Sequence, residues 1–312
     1  WLVQKAVVKL RLAQAEAPGA FGVDGDRVSQ EVTDTKRAKL LHGVLKNLVT
    51  LSATGSLHQH PESEAEAAMC VGALAARFAN LPSKAQNFQN SSTQAQLGDV
   101  AELALVEFAR GTTLATRRLQ SLVTGSNKSL EYLNAARSAA KASLRLAAHC
   151  ESLLCDWEER KTRGGADDDQ KENVPKTFPP TSAVSDQTAH SAFHPGGVEA
   201  TLVRHALLAL AGGAGAKARH LVPRVLATLR ETAEAETDQN ESGDERSTNA
   251  SAAASEFSRL APRVPVWIFL EWLPQVLSLL DAPGHGGAAV VQTVQAIASK
   301  YPSAVYCDYK IS

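Results

Sequence analysis

From Ala136 to Trp157 the apolar side chains fall at steps of three and four: Ala136, Ala140, Leu144, Ala147, Cys150, Leu154 and Trp157. A period of 3.6 residues gathers such a set on one helix face, so the pattern predicts a long helix starting near Ser126 or Asn127. Alanine lines its upper half, where a neighbouring helix can come close, while Leu154 and Trp157 call for a wider pocket below. The rest of the chain is built alike. Of its 312 residues 44% are apolar, alanine supplies much of that share, and aromatics contribute only 5%. Alanine favours helices and offers a sheet little to pack with, so the expected fold class is all-α with the helix pair as its unit.

Further helices follow from spacing and caps. Leu2 to Glu16 has helical periodicity through Val3, Val7 and Leu10, and Pro18, Gly19, Gly22 and Gly25 end it. Asp34 is placed to cap a helix through Leu40, Leu41, Val44, Leu45 and Leu48. Ser63 with Glu66 forms a capping box before Met69, Leu74 and Phe78, and Thr93 with Gln96 repeats it before Val100, Leu103, Ala104 and Phe108. Leu114 to Val123 continues or partners that helix. Residues 1–159 therefore read as a helical-repeat segment.

Residues 160–196 carry an acidic run at Asp167 to Asp169, then Pro175, Pro179 and Pro180, and too few apolar groups to order themselves. They read as a disordered acidic and Pro-rich insertion. In residues 197–312 helical spacing resumes through Leu202, His205, Ala206 and Ala209, and Gly212, Gly213 and Gly215 break into a second helix, Lys217 to Arg230. Glu231 to Ser255 is rich in Glu, Asp, Ser and Asn and is expected to be a polar loop, 231–255. Pro265 suits the first turn of a helix reaching Leu280, and Val290 to Lys300 forms another after a Gly284–Gly287 turn. Trp267, Ile268, Phe269, Leu270, Trp272 and Leu273 surround the first of these, so both tryptophans are expected to be buried in packing.

The chemistry expected of such a chain is sparse. A net charge of -1 provides no global basic field, so no direct nucleic-acid surface is indicated. The apolar run Val264 to Leu280 contains Glu271, Pro274 and Gln275 and is too short and polar to span a bilayer. Trp1 stands where an initiator methionine is expected and no leader pattern follows, so the chain is expected to be a segment of a soluble intracellular protein. Cys70, Cys150, Cys155 and Cys307 are too sparse for a stapled secreted domain. On one helix Cys150 and Cys155 lie roughly 140° apart around the axis, so they are read as small buried thiols and not, with His149, as a metal site. Gly212 to Lys217 lacks the Gly-Lys-Ser/Thr ending and the preceding strand of a phosphate loop. His58 with His60, and His190 with His194, sit in polar segments with no further ligand at hand. No catalytic, cofactor-binding or metal-binding residue is assigned, and no cofactor or small-molecule ligand is expected.

The last third carries a distinctive run. Val264-Pro265-Val266-Trp267-Ile268-Phe269-Leu270-Glu271-Trp272 is followed by Leu279-Leu280-Asp281, then Tyr301-Pro302, and Ile311-Ser312 closes it. Upstream stand Ala218-Arg219 and Pro223-Arg224 with Leu226. This resembles the end of the FAT region of the phosphatidylinositol-3-kinase-related protein kinases, over residues 198–312. Ser303 and Cys307-Asp308 depart from the family's Gln and aromatic-Pro pair. The resemblance implies a solenoid of antiparallel helix pairs, tetratricopeptide- or HEAT-like, acting as a non-catalytic scaffold that clamps and regulates the kinase domain. Within the family it points to the nuclear Ser/Thr kinase of DNA double-strand break repair by end joining, with its own kinase domain and, through the parent protein, the Ku heterodimer as partners. Trp272-Leu273-Pro274-Gln275 also resembles other branches, which leaves the alternative of an interaction scaffold in a pseudokinase transcription co-activator or rapamycin-target-type kinase.

Overall fold

The computed structural model describes residue 43 and residues 61–79, 100–123, 130–163, 197–238, 245–282 and 284–311. Among the described residues there are α-helices and 3-10 turns and no strand, so the fold is all-α. The helices expected over Leu2–Glu16 and Asp34–Leu48, and the histidines at 58, 60, 190 and 194, lie outside the described residues. The chain divides into two compact units, residues 1–118 and 119–312.

In the first unit, α1 (Pro61–Ala79) and α2 (Val100–Val123, which runs past the unit's end) bury alanine-rich faces. Ala65, Ala68, Met69 and Ala75 on α1 and Ala104, Leu105, Phe108 and Ala109 on α2 are buried. Pro61 opens α1, as its fixed φ and missing donor suit a first turn, so Ser63 lies within the helix and not at its cap. Phe108 lies against Gly72, Met69 against Gly111, and Arg118 pairs with Glu62. As the α1 number falls from 72 to 62 its partner on α2 rises from 108 to 118, so the two helices run antiparallel. The Arg110 guanidinium reinforces the pair, donating to Glu64 at 2.7 Å and to Glu107 at 3.5 Å.

The second unit begins with α3 (Leu130–Arg163), followed by α4 (Gly197–Ala211), the short α5 (Gly215–Ala218) and a 3-10 turn, Arg219–Leu221. Next come α6 (Val222–Asp238) and α7 (Glu245–Leu260). Two further 3-10 segments, Ala261–Arg263 and Val266–Trp272, lead into α8 (Leu273–Ser278), α9 (Gly284–Lys300) and α10 (Pro302–Ile311). α3 packs along α4, and α7 lies against α4, α6 and α9. Leu202, Leu207 and Leu210 of α4, Leu229 of α6, and Phe257 and Leu260 of α7 are among its fully buried side chains.

The long helix is present, and the expected face is buried at Ala140, Ala147, Cys150 and Leu154, while Ala136, Leu144 and Trp157 are half-buried. Ala135, Ala139, Ala142 and Leu146 beside it are buried as well, so the buried face is wider than the single stripe that the spacing marks. Ser143 on this face meets His205 of α4, with Oγ and Nδ1 3.4 Å apart. The insertion expected over 160–196 is helical as far as Arg163; the rest lies outside the described residues.

The polar loop expected over 231–255 is not a loop at its two ends. α6 continues to Asp238 and α7 starts at Glu245, with only 239–244 between them outside the described residues. Polar composition masked a short apolar face, Ala253, Ala254 and Phe257, which α7 buries against its three neighbours. Glu and Ala are themselves good helix formers, and Arg224 of α6 reaches Glu231 one turn and more along.

The helix expected from Pro265 to Leu280 is instead a 3-10 segment followed by α8. With about three residues per turn, successive side chains point in three directions, so Ile268 and Phe269 enter the core while Trp267 points outward. The Gly284–Gly287 stretch is not a turn but the start of α9. A Cβ on Gly287 would lie 2.5 Å from the Ala282 carbonyl oxygen, so glycine permits the chain to fold back on itself there. The sequence analysis assigns no helix after Lys300, and α10 follows there with Pro302 as its first residue.

Phe257 and Phe269 meet edge to face, with ring centroids 6.1 Å apart and planes at 64°, and both are buried. Phe257→Ala is expected to destabilise the second unit by about 3–5 kcal/mol through lost transfer energy and a cavity, and Phe257→Leu by clearly less. Denaturant unfolding of both variants beside the parent checks this, and equal stability of Phe257→Ala and parent would contradict the packing described.

Candidate interaction surface

At the junction of α5, the Arg219–Leu221 turn and the Val266–Trp272 segment, a tryptophan lies open to solvent. Trp267 is 45% exposed, against the expectation that it would be buried, and Trp272 is half-buried. Its neighbours in sequence explain the position. Ile268 and Phe269 anchor the 3-10 segment inside, and Ile268 reaches to about the Cβ position of Gly215 at the start of α5. That contact brings the following turn beside the indole, and the Arg219 guanidinium lies over the ring with its carbon 4.4 Å from the centroid. Lys217 and His220 are exposed on either side of Arg219 in the chain, and Arg263 is exposed just before Val264. Among the described residues no carboxylate pairs with any of these four basic groups, whereas Glu271 is exposed on the tryptophan segment itself.

The other arginines nearby serve the fold. Arg224 of α6 donates to Glu158 of α3, at 3.2 Å through Nη1, and ties those helices together. Arg259 donates to Glu256 one turn away at 2.6 Å, and Arg230 bonds the Ser278 hydroxyl of α8. Trp272 is half-buried, and its indole N–H has no hydrogen-bond partner among the described residues.

The residues weighed for chemistry do not converge. Cys150 is fully buried, and burial first, then the Glu199 carboxylate, pushes its thiol well up. Cys155 is exposed, contrary to its reading as a buried thiol, because it lies outside the buried stripe of α3. Among the described residues no three His, Cys, Asp or Glu side chains are grouped to hold a metal ion. Gly212 to Lys217 follows a helix, with Gly213 at φ 89° ending α4, and α5 is only four residues long. No described helix is long and apolar enough to cross a membrane.

Over 62 residues, 20% of this chain, the sequence is 36% identical to the DNA-dependent protein kinase catalytic subunit of Dictyostelium discoideum. The chain is loosely related to that subunit. The matched stretch amounts to 1% of that protein's length. No family model matches the chain, and no solved structure matches it.

One buried base sets an acid limit on the second unit. Desolvation lowers His149 of α3 from its usual 6.5 to about 4, with Asp156 opposing. A base held neutral by folding favours the unfolded chain once that chain protonates, so stability is full above pH 6.5 and falls as the pH drops toward 4. The loss is expected to reach roughly 2–3 kcal/mol. Unfolding free energies of the parent and of His149→Gln between neutral and acid pH check it, the variant losing that part of the slope.

Proposed function

We propose that this chain is a non-catalytic helical scaffold from the FAT region of a DNA-dependent protein kinase-like Ser/Thr kinase, where it clamps and regulates the kinase domain. The 62-residue similarity to a DNA-dependent protein kinase catalytic subunit carries this reading. The helix arrangement supports it. In the second unit α4 touches α6 and α7, α6 touches α7 and α9, and α7 touches α9, so each helix meets the next long one and the next but one. Stacked helix pairs make those neighbours, and this favours a solenoid of antiparallel pairs with residues 197–312 as its C-terminal part. Such an array presents a surface to a partner and leaves chemistry to another domain.

On this reading the partners are the kinase domain of the same protein and, through that protein, the Ku heterodimer at DNA ends, and the protein works in the nucleus in double-strand break repair by end joining. The test is phosphoryl transfer from ATP to a Ser/Thr peptide by the protein that carries this segment, purified from its source. Transfer is expected, and Phe257→Ala in that protein is expected to lower both its melting temperature and its rate. A protein without transfer, and without Asp and Asn at catalytic-loop spacing before Asp-Phe-Gly, would make the segment a pseudokinase scaffold.

A further inference from the structure

The Arg219–Trp267 stack has the composition of a binding site and no structural task that requires its exposure. Trp267 contributes little to the core, since almost half its surface faces water while Ile268 and Phe269 beside it anchor the segment. It is nonetheless held: Arg219 covers one ring face at 4.4 Å, and buried residues flank both members, Ala218 and Leu221 on one side and Ile268 on the other. A rigid aromatic and a stacked arginine are the side chains most often found at the energetic centre of protein interfaces. Arg219 Nε is buried with no hydrogen-bond partner among the described residues, and a guanidinium can offer a carboxylate two N–H groups at once, which lysine cannot.

The charge around the stack selects the partner. Lys217, Arg219, His220 and Arg263 have no carboxylate partner among the described residues, while Arg224 and Arg259 close by are engaged with glutamates. The chain as a whole is nearly neutral, and here Lys217 and His220 lie within two residues of Arg219 in the chain and Arg263 four before Trp267. Single-stranded nucleic acid calls for successive aromatic platforms along a basic groove, and here one indole stands with the carboxylate of Glu271 on the same segment.

We propose that the Arg219–Trp267 pair, with the exposed Lys217, His220 and Arg263 near it in the chain, is a docking site for a short acidic peptide segment of a partner protein. The segment lays an aliphatic side chain on the open part of the indole and places a carboxylate on the guanidinium. Basic neighbours draw it in and make the complex sensitive to salt.

The whole chain titrated with a synthetic peptide of alternating Glu and Leu, followed by calorimetry and tryptophan emission, tests the site. Saturable binding that weakens with added salt is expected, and the same peptide with Gln for Glu is expected not to bind. Trp267→Ala and Arg219→Gln are each expected to weaken binding on the order of tenfold or more without changing the melting temperature. If Trp267→Ala lowers the melting temperature, Lys217→Glu and Arg263→Glu, both at exposed positions, decide the matter by the same loss of affinity. Binding unaffected by these variants would overturn the proposal, as would a single-stranded oligonucleotide binding this patch where the peptide does not.

Discussion

The second unit hangs on α7 being enclosed. Three helices, α4, α6 and α9, meet it, and the 3-10 segment supplies Phe269 against Phe257 at the place where they converge. Alanine at 253 and 254 lets those neighbours approach, and the phenylalanine fills the space the alanines leave. Beyond these and the buried Leu260, α7 gives the core little, so a helix that reads as solvated is held from outside by the surfaces that need it as cover. The ion pair from Arg224 to Glu158 and the Ser143–His205 contact tie α3 to the same block, one half-exposed and the other buried.

Much of this order was legible and the limits were physical. Strong stripes such as those of α4 and the long α3 declared both helix and length, because the same apolar period ran over several turns. Boundaries were harder. The Glu231–Ser255 stretch is polar over the whole window, while α7 buries Ala253 and Ala254 near its end and Phe257 just beyond it. On α3 alanine also fills the positions beside the expected stripe, so the face that is buried there is wider than the spacing alone marks.

The tryptophan segment departs from its sequence pattern for a different reason. Its apolar perimeter closes only on a period of 3.6, whereas Pro265 enters it with φ -56° and ψ 122° and the chain winds as a 3-10 segment. A change from about 100° to about 120° per residue is enough to carry one side chain of a nearly continuous apolar run out of the core. The Arg219–Trp267 stack was hidden for that reason, since nothing in sequence joins residues 48 positions apart. The basic character of Ala218-Arg219 was visible, but not its destination.

The alanine lining between α3 and α4 also has a mechanical meaning. Side chains with no rotatable bond leave two backbones nearly in touch, so the joint has few rotamers through which to absorb a push. A small shift of α4 is handed on to α3 almost undiminished, and α3, at 34 residues, is a lever roughly 50 Å long. In this part of the molecule stiffness comes from the smallness of the side chains and not from the strength of their contacts.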